Sequence, residues 1–444
     1  MIQTKFKIAV SLLSALPTLL FGQEGVKVND ISSRDTLSFE KVLQTVMESH
    51  PSLMKAADEV SIAQSKVDLA KTAYLPSFDI DASYTRLGPV TEFSIPSLGT
   101  FKMNPADNFA ASLNYHQTLY DFGKTAKSVA AEKAGSVVAE GRLTQVKQGL
   151  SLQTANAYFM LVYLQKAIQI KAEEIANLEE HISFIRKKQQ TGSATQYELL
   201  STQVRLSVVK NQQVDLESMR LDRQSALNIL MGNYINHYMV VGEKLPVVDI
   251  SMNVDSLVGF AVDHRIEAAI AKEAIDQGSL RLKMVAATNS PKVDAFASAG
   301  GKNGYVPYLG TVKANYVAGI GISIPLFDAN RTRYNKAIAS SQVNELKQDY
   351  ELTVRSISAE VRQNEANLEA SLKKLEQSRL QVGQAEEAFS LAKVSYTAGA
   401  LTNLDLLDAE TAVSESKLGL LKAQVQYQLN AIQLSISLGN AIAK

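Results

Sequence analysis

The sequence predicts a mainly helical chain with four β-strands, built as two copies of one plan. Three observations carry this. The chain repeats itself: residues 109–233 lie on 316–440 without a gap, a shift of 207. Each copy holds a pair of segments that alternate apolar and polar residues. Each copy then runs for a long distance without proline, from 106 to 245 and from 326 onward. A period this long is far beyond any solenoid unit and means that a whole half was duplicated.

The N-terminus comes first. Lys5 and Lys7 precede an apolar run, Ile8 to Leu20, and Phe21-Gly22-Gln23 leads into polar sequence. Order and length are those of a secretory signal, expected at 1–22 with cleavage near Gly22. The run is shorter than the ~20 residues a spanning helix needs. No later segment is long and apolar enough to span as a helix, so a membrane-inserted form has to be a closed barrel.

Each half opens with a helical stretch, about Ser38–Tyr74 and Val254–Ala287. Ser38 suits an N-cap, Glu40 suits the positive end of the helix dipole, and Pro51 starts a second helical piece. The alternating segments follow. Phe78, Ile80, Ala82 and Tyr84 share one face, as do Phe109, Ala111, Leu113 and Tyr115. In the second half Val293, Ala295, Ala297 and Ala299 face one way, and so do Tyr316, Ala318, Ile320, Ile322 and Ile324. A water-filled membrane barrel requires this division, and a soluble hairpin accommodates it equally well. The connections Arg86–Asp107 and Lys302–Asn315 contain Pro89, Pro96, Pro105 and Pro307 and read as long irregular loops.

Long helices come next. From Asp121 to Gln189 the chain is rich in strong helix formers. Leu161, Ile168, Ile175 and Ile182 recur at one heptad position, and Leu164, Leu178 and Ile185 at the other, where Lys171 interrupts the series. Some 68 residues make about 100 Å of helix. Gly135, Gly141 and Gly149 either slacken it or mark close packing. Breaks at Thr191-Gly192-Ser193 and Thr397-Ala398-Gly399 each precede a second helix.

Four strands do not close a barrel, and an open edge cannot face lipid. Oligomerisation resolves this, leaving the long helices to continue as a tube outside the membrane.

The chain is neutral, with 45 basic and 45 acidic residues, and this argues against nucleic-acid binding. It has no cysteine, so thiolate metal sites and lipid attached through cysteine are excluded. His50, His116, His181, His237 and His264 show no i, i+4 ligand pair. Gly319-Ile320-Gly321 is too little for a nucleotide loop. No nucleophile motif is present, and neither an enzyme nor a cofactor is expected.

Val394-Ser395-Tyr396-Thr397-Ala398-Gly399-Ala400-Leu401-Thr402-Asn403-Leu404-Asp405-Leu406-Leu407-Asp408-Ala409 resembles the tip signature of the TolC-like outer-membrane efflux proteins. Lys187–Leu200 is a weaker sister copy. Leu75-Pro76-Ser77 and Leu326-Phe327-Asp328 are also similar to that family. The resemblance runs from Leu37 to Gly439. It implies a homotrimer: a twelve-stranded outer-membrane β-barrel, four strands per chain, continued by a periplasmic α-helical barrel. The halves would be 23–235 and 254–444, joined by an equatorial linker, 236–253.

The implied function is a passive exit duct of a tripartite efflux or type I secretion system. The implied partners are outer-membrane lipid, a periplasmic adaptor and an inner-membrane transporter. Adaptor contact falls on Gly192, Ser193, Gly399, Ala400, Leu401 and Thr402. Asp405 and Asp408 match entrance aspartates, and three copies would form carboxylate rings there. The first copy has Glu198 and Ser201 instead, so acidic and less charged helix pairs would alternate around the mouth. Glu198 and Tyr396 match a closing hydrogen bond, although Glu198 replaces a shorter aspartate and Leu401 replaces an arginine of a well-known member. The tip is therefore expected to rely more on apolar contact. A periplasmic coiled-coil scaffold or an adaptor is the competing reading, and drug, metal-ion and protein cargo all remain compatible with the sequence.

Overall fold

Two halves of equal design are present in the structure, a computed structural model describing residues 37–97, 99–232, 241–242 and 254–440. The expected signal segment, 1–22, lies outside the described residues. So does the expected linker, 236–253, apart from Val241 and Gly242.

The first half consists of α1 (Phe39–Ser49), α2 (Pro51–Lys71), β1 (Ser77–Arg86), β2 (Glu92–Ile95), β3 (Gly99–Lys102), β4 (Asp107–Tyr120), α3 (Lys124–Gln190) and α4 (Gln196–Leu230). The second half consists of α5 (Val254–His264), α6 (Ile266–Ala286), β5 (Lys292–Lys302), β6 (Lys313–Ser323), α7 (Arg331–Thr397) and α8 (Asn403–Ser437). Helices α3 and α7 both have 67 residues, and α4 and α8 both have 35.

Ser38 caps α1 by accepting from the Lys41 N–H, and Pro51 opens α2. The matching helix of the second half is also two pieces, which corrects the expectation of one stretch over Val254–Ala287. It breaks at Arg265, in extended conformation (φ −72°, ψ 135°). The Arg265 guanidinium pairs with Glu267 (2.9 Å) and Glu360, so side-chain bonds hold a break that no proline announces.

The four long strands form one antiparallel sheet in the order β1-β4-β5-β6. Opposed residues of an antiparallel pair share a face. Ile80 opposes Leu113, Leu113 opposes Ala299, and Ala299 opposes Tyr316. The alternating apolar sets of all four strands therefore lie on one face. That face is uncovered within the chain, with Ile80 78%, Tyr316 86% and Ile320 69% exposed. The opposite face carries Asp79, Asp81 and Asn114, whose amide reaches both carboxylates at 2.9 and 2.7 Å. The connection 86–107 is more ordered than expected: β2 and β3 pair as a hairpin, with Phe93 opposite Phe101. Four-residue strands embedded among glycine and proline are too short for a period-two pattern to register.

The turn from sheet to long helix is the same in both copies. Phe122 and Gly123 adopt left-handed conformation, as do Ala329 and Asn330 at the corresponding positions. Asp121 holds its turn by accepting from Thr125 N–H (2.7 Å) and Gly123 N–H (3.1 Å). Asp328 accepts from Thr332 N–H and Asn289 (both 2.9 Å). This explains the repeated aspartate of the Leu-aromatic-Asp motif.

Helix α3 is continuous through its three glycines. A Cβ at Gly141 would sit 2.5 Å from Ile270 Cγ1 of α6, so this glycine marks close packing between the halves. At Gly135 a Cβ would meet only the amide end of Gln277, and at Gly149 nothing lies within 4 Å. Both heptad positions contribute to the core: Leu161, Leu164, Leu178, Ile182 and Ile185 are buried. Helix α3 packs against α4, α7 against α8, and α3 also against α8.

Candidate gate at the helix tips

Both coils turn in the same way. Gly192 (φ +74°) and Gly399 (φ +80°) are left-handed, a conformation that costs glycine nothing. Ser193 N–H reaches back to the Lys188 carbonyl (2.8 Å), and Ala400 N–H to Ser395 (2.9 Å). These six-residue closures, with the inner Gly192–Gln189 and Gly399–Tyr396 bonds, make two Schellman caps. Helix α4 then starts at Thr195, which accepts from Glu198 N–H, and α8 at Thr402.

The second turn is more elaborate. Asp405 N–H donates to Thr402 Oγ1 (3.3 Å), while the Asp405 carboxylate accepts from Thr402 N–H (2.9 Å) and hydroxyl (2.6 Å). This is a capping box. The Thr402 hydroxyl and N–H hold the exposed Asp405 carboxyl below its ordinary range. Asp408 is also exposed and accepts from Arg205 of α4 at 3.2 Å. Each carboxylate thus has a partner within its own chain while remaining exposed. Ala400, Leu401 and Thr402 are exposed at the second turn, and Gly192 and Ser193 are exposed at the first.

Tyr396 is buried, and among the described residues its hydroxyl has no hydrogen-bond partner. The bond to Glu198 implied by the resemblance is therefore not formed here. Burial first, and the Glu198 charge second, raise the Tyr396 phenol above its ordinary value. The ring is held by aromatic and cationic contact instead. His181 meets it edge-on at 5.4 Å and Phe184 at 6.4 Å, and Lys188 Nζ stands 4.7 Å above it.

Several residues of this region were not read from the sequence as part of a site. His181 Nε2 lies 2.7 Å from Asn403 Oδ1, and the Asn403 amide donates to Thr202 (3.1 Å). Burial lowers the imidazole, opposed by the Asn403 bond. Deeper in the seam between α3 and α8, Lys171 pairs with Glu174 at 2.8 Å, and Ser414 Oγ donates to Glu174 at 2.5 Å. Glu410 is 7% exposed, and burial, then the Glu174 charge, push its carboxyl up to about 7. A sequence signal did exist, since Glu174, His181 and Lys188 follow one another at seven-residue spacing beside the apolar stripe. Among the described residues no group of His, Asp and Glu could hold a metal, and no helix is long and apolar enough to cross a membrane.

The comparisons agree with this architecture. The outer membrane efflux protein family pattern matches residues 42–233 and 264–440. The outer membrane protein TolC of Salmonella enteritidis is 22% identical over 409 residues, covering 90% of this chain and 81% of the relative. The alkaline protease secretion protein AprF of Pseudomonas aeruginosa is 23% identical, covering 86% of this chain and 80% of the relative. The solved outer membrane protein VceC of Vibrio cholerae superposes with a TM-score of 0.76 at 20% identity, covering 91% of this chain and 96% of that one. A family match over both halves, with the sheet and paired coils in place, identifies the chain as a member of the outer membrane efflux protein family: an outer-membrane channel of efflux and secretion systems, whose long helices extend into the periplasm.

Proposed function

We propose that three copies of this chain close one twelve-stranded barrel and one helical barrel, and that the helix tips form the gate of the duct. The observation that carries this is the sheet. It ends in two open edges, β1 and β6, and presents an uncovered apolar face. In lipid both edges need a partner strand, and further copies of the chain supply it. Three copies give an even strand number within the range of such barrels.

At the tips, Asp405 and Asp408 form the acidic entrance and Tyr396 is the aromatic wedge between coils. Glu198 contributes its charge, and Leu401 seals by apolar contact. A periplasmic adaptor docks at Gly192, Ser193, Gly399, Ala400, Leu401 and Thr402, and an inner-membrane transporter supplies the energy. The duct itself catalyses nothing.

Membrane fractionation with heat-modifiable gel migration tests the assembly. The expected result is a trimer band in the outer-membrane fraction that collapses to monomer on boiling. Recovery as a soluble periplasmic protein supports the coiled-coil scaffold or adaptor instead.

A further inference from the structure

The seam between α3 and α8, one turn and more below the tip, joins the first coil of the chain to the second. Its interior is polar where a coiled coil is ordinarily apolar. Helix α3 supplies Lys171 and Glu174, both 5% exposed, and α8 supplies Ser414 (4%) and Glu410 (7%). Lys171 serves Glu174 at 2.8 Å and Ser414 at 3.2 Å. Glu410 Oε1 is buried with no hydrogen-bond partner among the described residues. The seam thus holds two buried carboxyls and one buried ammonium.

The other charged groups facing Glu410 do not neutralise it. Glu180 and His181 of α3 and Lys393 of α7 line the same cleft of about 170 Å³, together with Phe184, Phe389 and Tyr396. Lys393 and Arg205 of α4 favour its charge only weakly: among the described residues Lys393 makes no ion pair with it, and Arg205 is engaged by Asp408. The Asn177 side chain favours the ionised form, but burial and the Glu174 charge outweigh it, so the carboxyl, with Oε1 unpartnered, is cheaper to hold neutral than charged.

We propose that Glu410 is a proton-operated joint between the two coils of each subunit: protonated, it lets α3 and α8 pack, and ionised, it drives them apart by repulsion against Glu174. This rests on the gate reading and adds its regulation. The sign follows from the chemistry. The carboxyl is neutral on the acid side and charges as pH rises through about 7, so the seam loosens toward alkaline pH. His181 acts oppositely, because its burial disfavours the charged imidazole and acid loosens the tip around it.

The chain lacks cysteine, so spin labels can be placed uniquely on Ala172→Cys of α3 and Ala412→Cys of α8, both exposed. Labelled subunits diluted with unlabelled ones report the distance within one chain. A titration from about pH 6.5 to about 8.5 covers the Glu410 transition, while burial of His181 keeps its imidazole largely neutral there. The expected result is a reversible lengthening with a midpoint near pH 7. It should be abolished by Glu410→Gln, and in Glu174→Gln, which removes the repelling charge, the lengthening should be largely lost and any residual midpoint should fall. A distance that does not change with pH, or changes equally in Glu410→Gln, overturns the joint. Bilayer conductance over the same range separates the two readings. A distance change without a current change keeps the joint and removes its link to the gate.

Discussion

Lys171 occupies a heptad core position otherwise filled by Leu164, Leu178 and Ile185, so Lys171→Leu restores the apolar pattern. Pattern alone predicts stabilisation, and the structure predicts the reverse. Lys171 and Glu174 are each 5% exposed and 2.8 Å apart. At that distance the Coulomb attraction is about 6 kcal/mol for an effective dielectric near 20, offset by several kcal/mol of desolvation per ion. The intact pair is therefore worth little net, but removing one member strands the other. Lys171→Leu leaves the buried Glu174 charge without its cation and still repelled by Glu410, at an expected cost of about 3–5 kcal/mol. The double variant Lys171→Leu, Glu174→Met removes both charges and should recover most of that, ending near or above the parent. Far-UV circular dichroism melts of the detergent-solubilised protein give the order. The expected order is parent and double variant together, with the single variant well below. A single variant as stable as the parent would show that the Lys171–Glu174 pair does not hold the seam.

Other consequences follow. Gly141→Val should destabilise by about 1–3 kcal/mol, because its Cβ overlaps Ile270. Gly149→Ala, in open space, should be neutral or stabilising by up to about 1 kcal/mol in the same melts. Thr402→Ala removes one arm of the capping box and should cost about 1 kcal/mol. It should also let the Asp405 carboxyl rise toward its ordinary value, measurable by carbon-detected NMR titration of labelled aspartate. Tyr396→Phe should leave tip stability nearly unchanged, since the hydroxyl has no partner, whereas Tyr396→Ala empties the ring contacts with His181 and Phe184 and should loosen the tip, read as faster proteolytic nicking at the turns.

Much of the fold was legible because its signals are local or periodic. The gapless match of 109–233 with 316–440 foretold helices of equal length in the two copies, and the alternating strand sets foretold the shared apolar face. Pro51 announced one helix break; Arg265 did not, since its extended backbone is held by ion pairs with Glu267 and Glu360 rather than by its own ring. The tip turns were readable from Gly192 and Gly399. Their stitching was not, because it joins residues remote in sequence: His181 to Asn403 and Lys171 to Ser414. Lys171 looked like a flaw in the heptad until Glu174 and Ser414 were brought against it. The Asp405 and Asp408 positions were legible as an acidic pair, but the partners Thr402 and Arg205 that position them belong to the folded tip.

A channel whose mouth lies at the α7–α8 tip should reveal itself in its ion selectivity across a planar bilayer. The parent should give discrete current steps and prefer cations. In Asp405→Asn, Asp408→Asn that preference should fall or reverse, because Arg205 is left without its carboxylate at the mouth. Cation preference unchanged in the double variant, or a protein that gives no discrete steps at all, would contradict a channel with its mouth there.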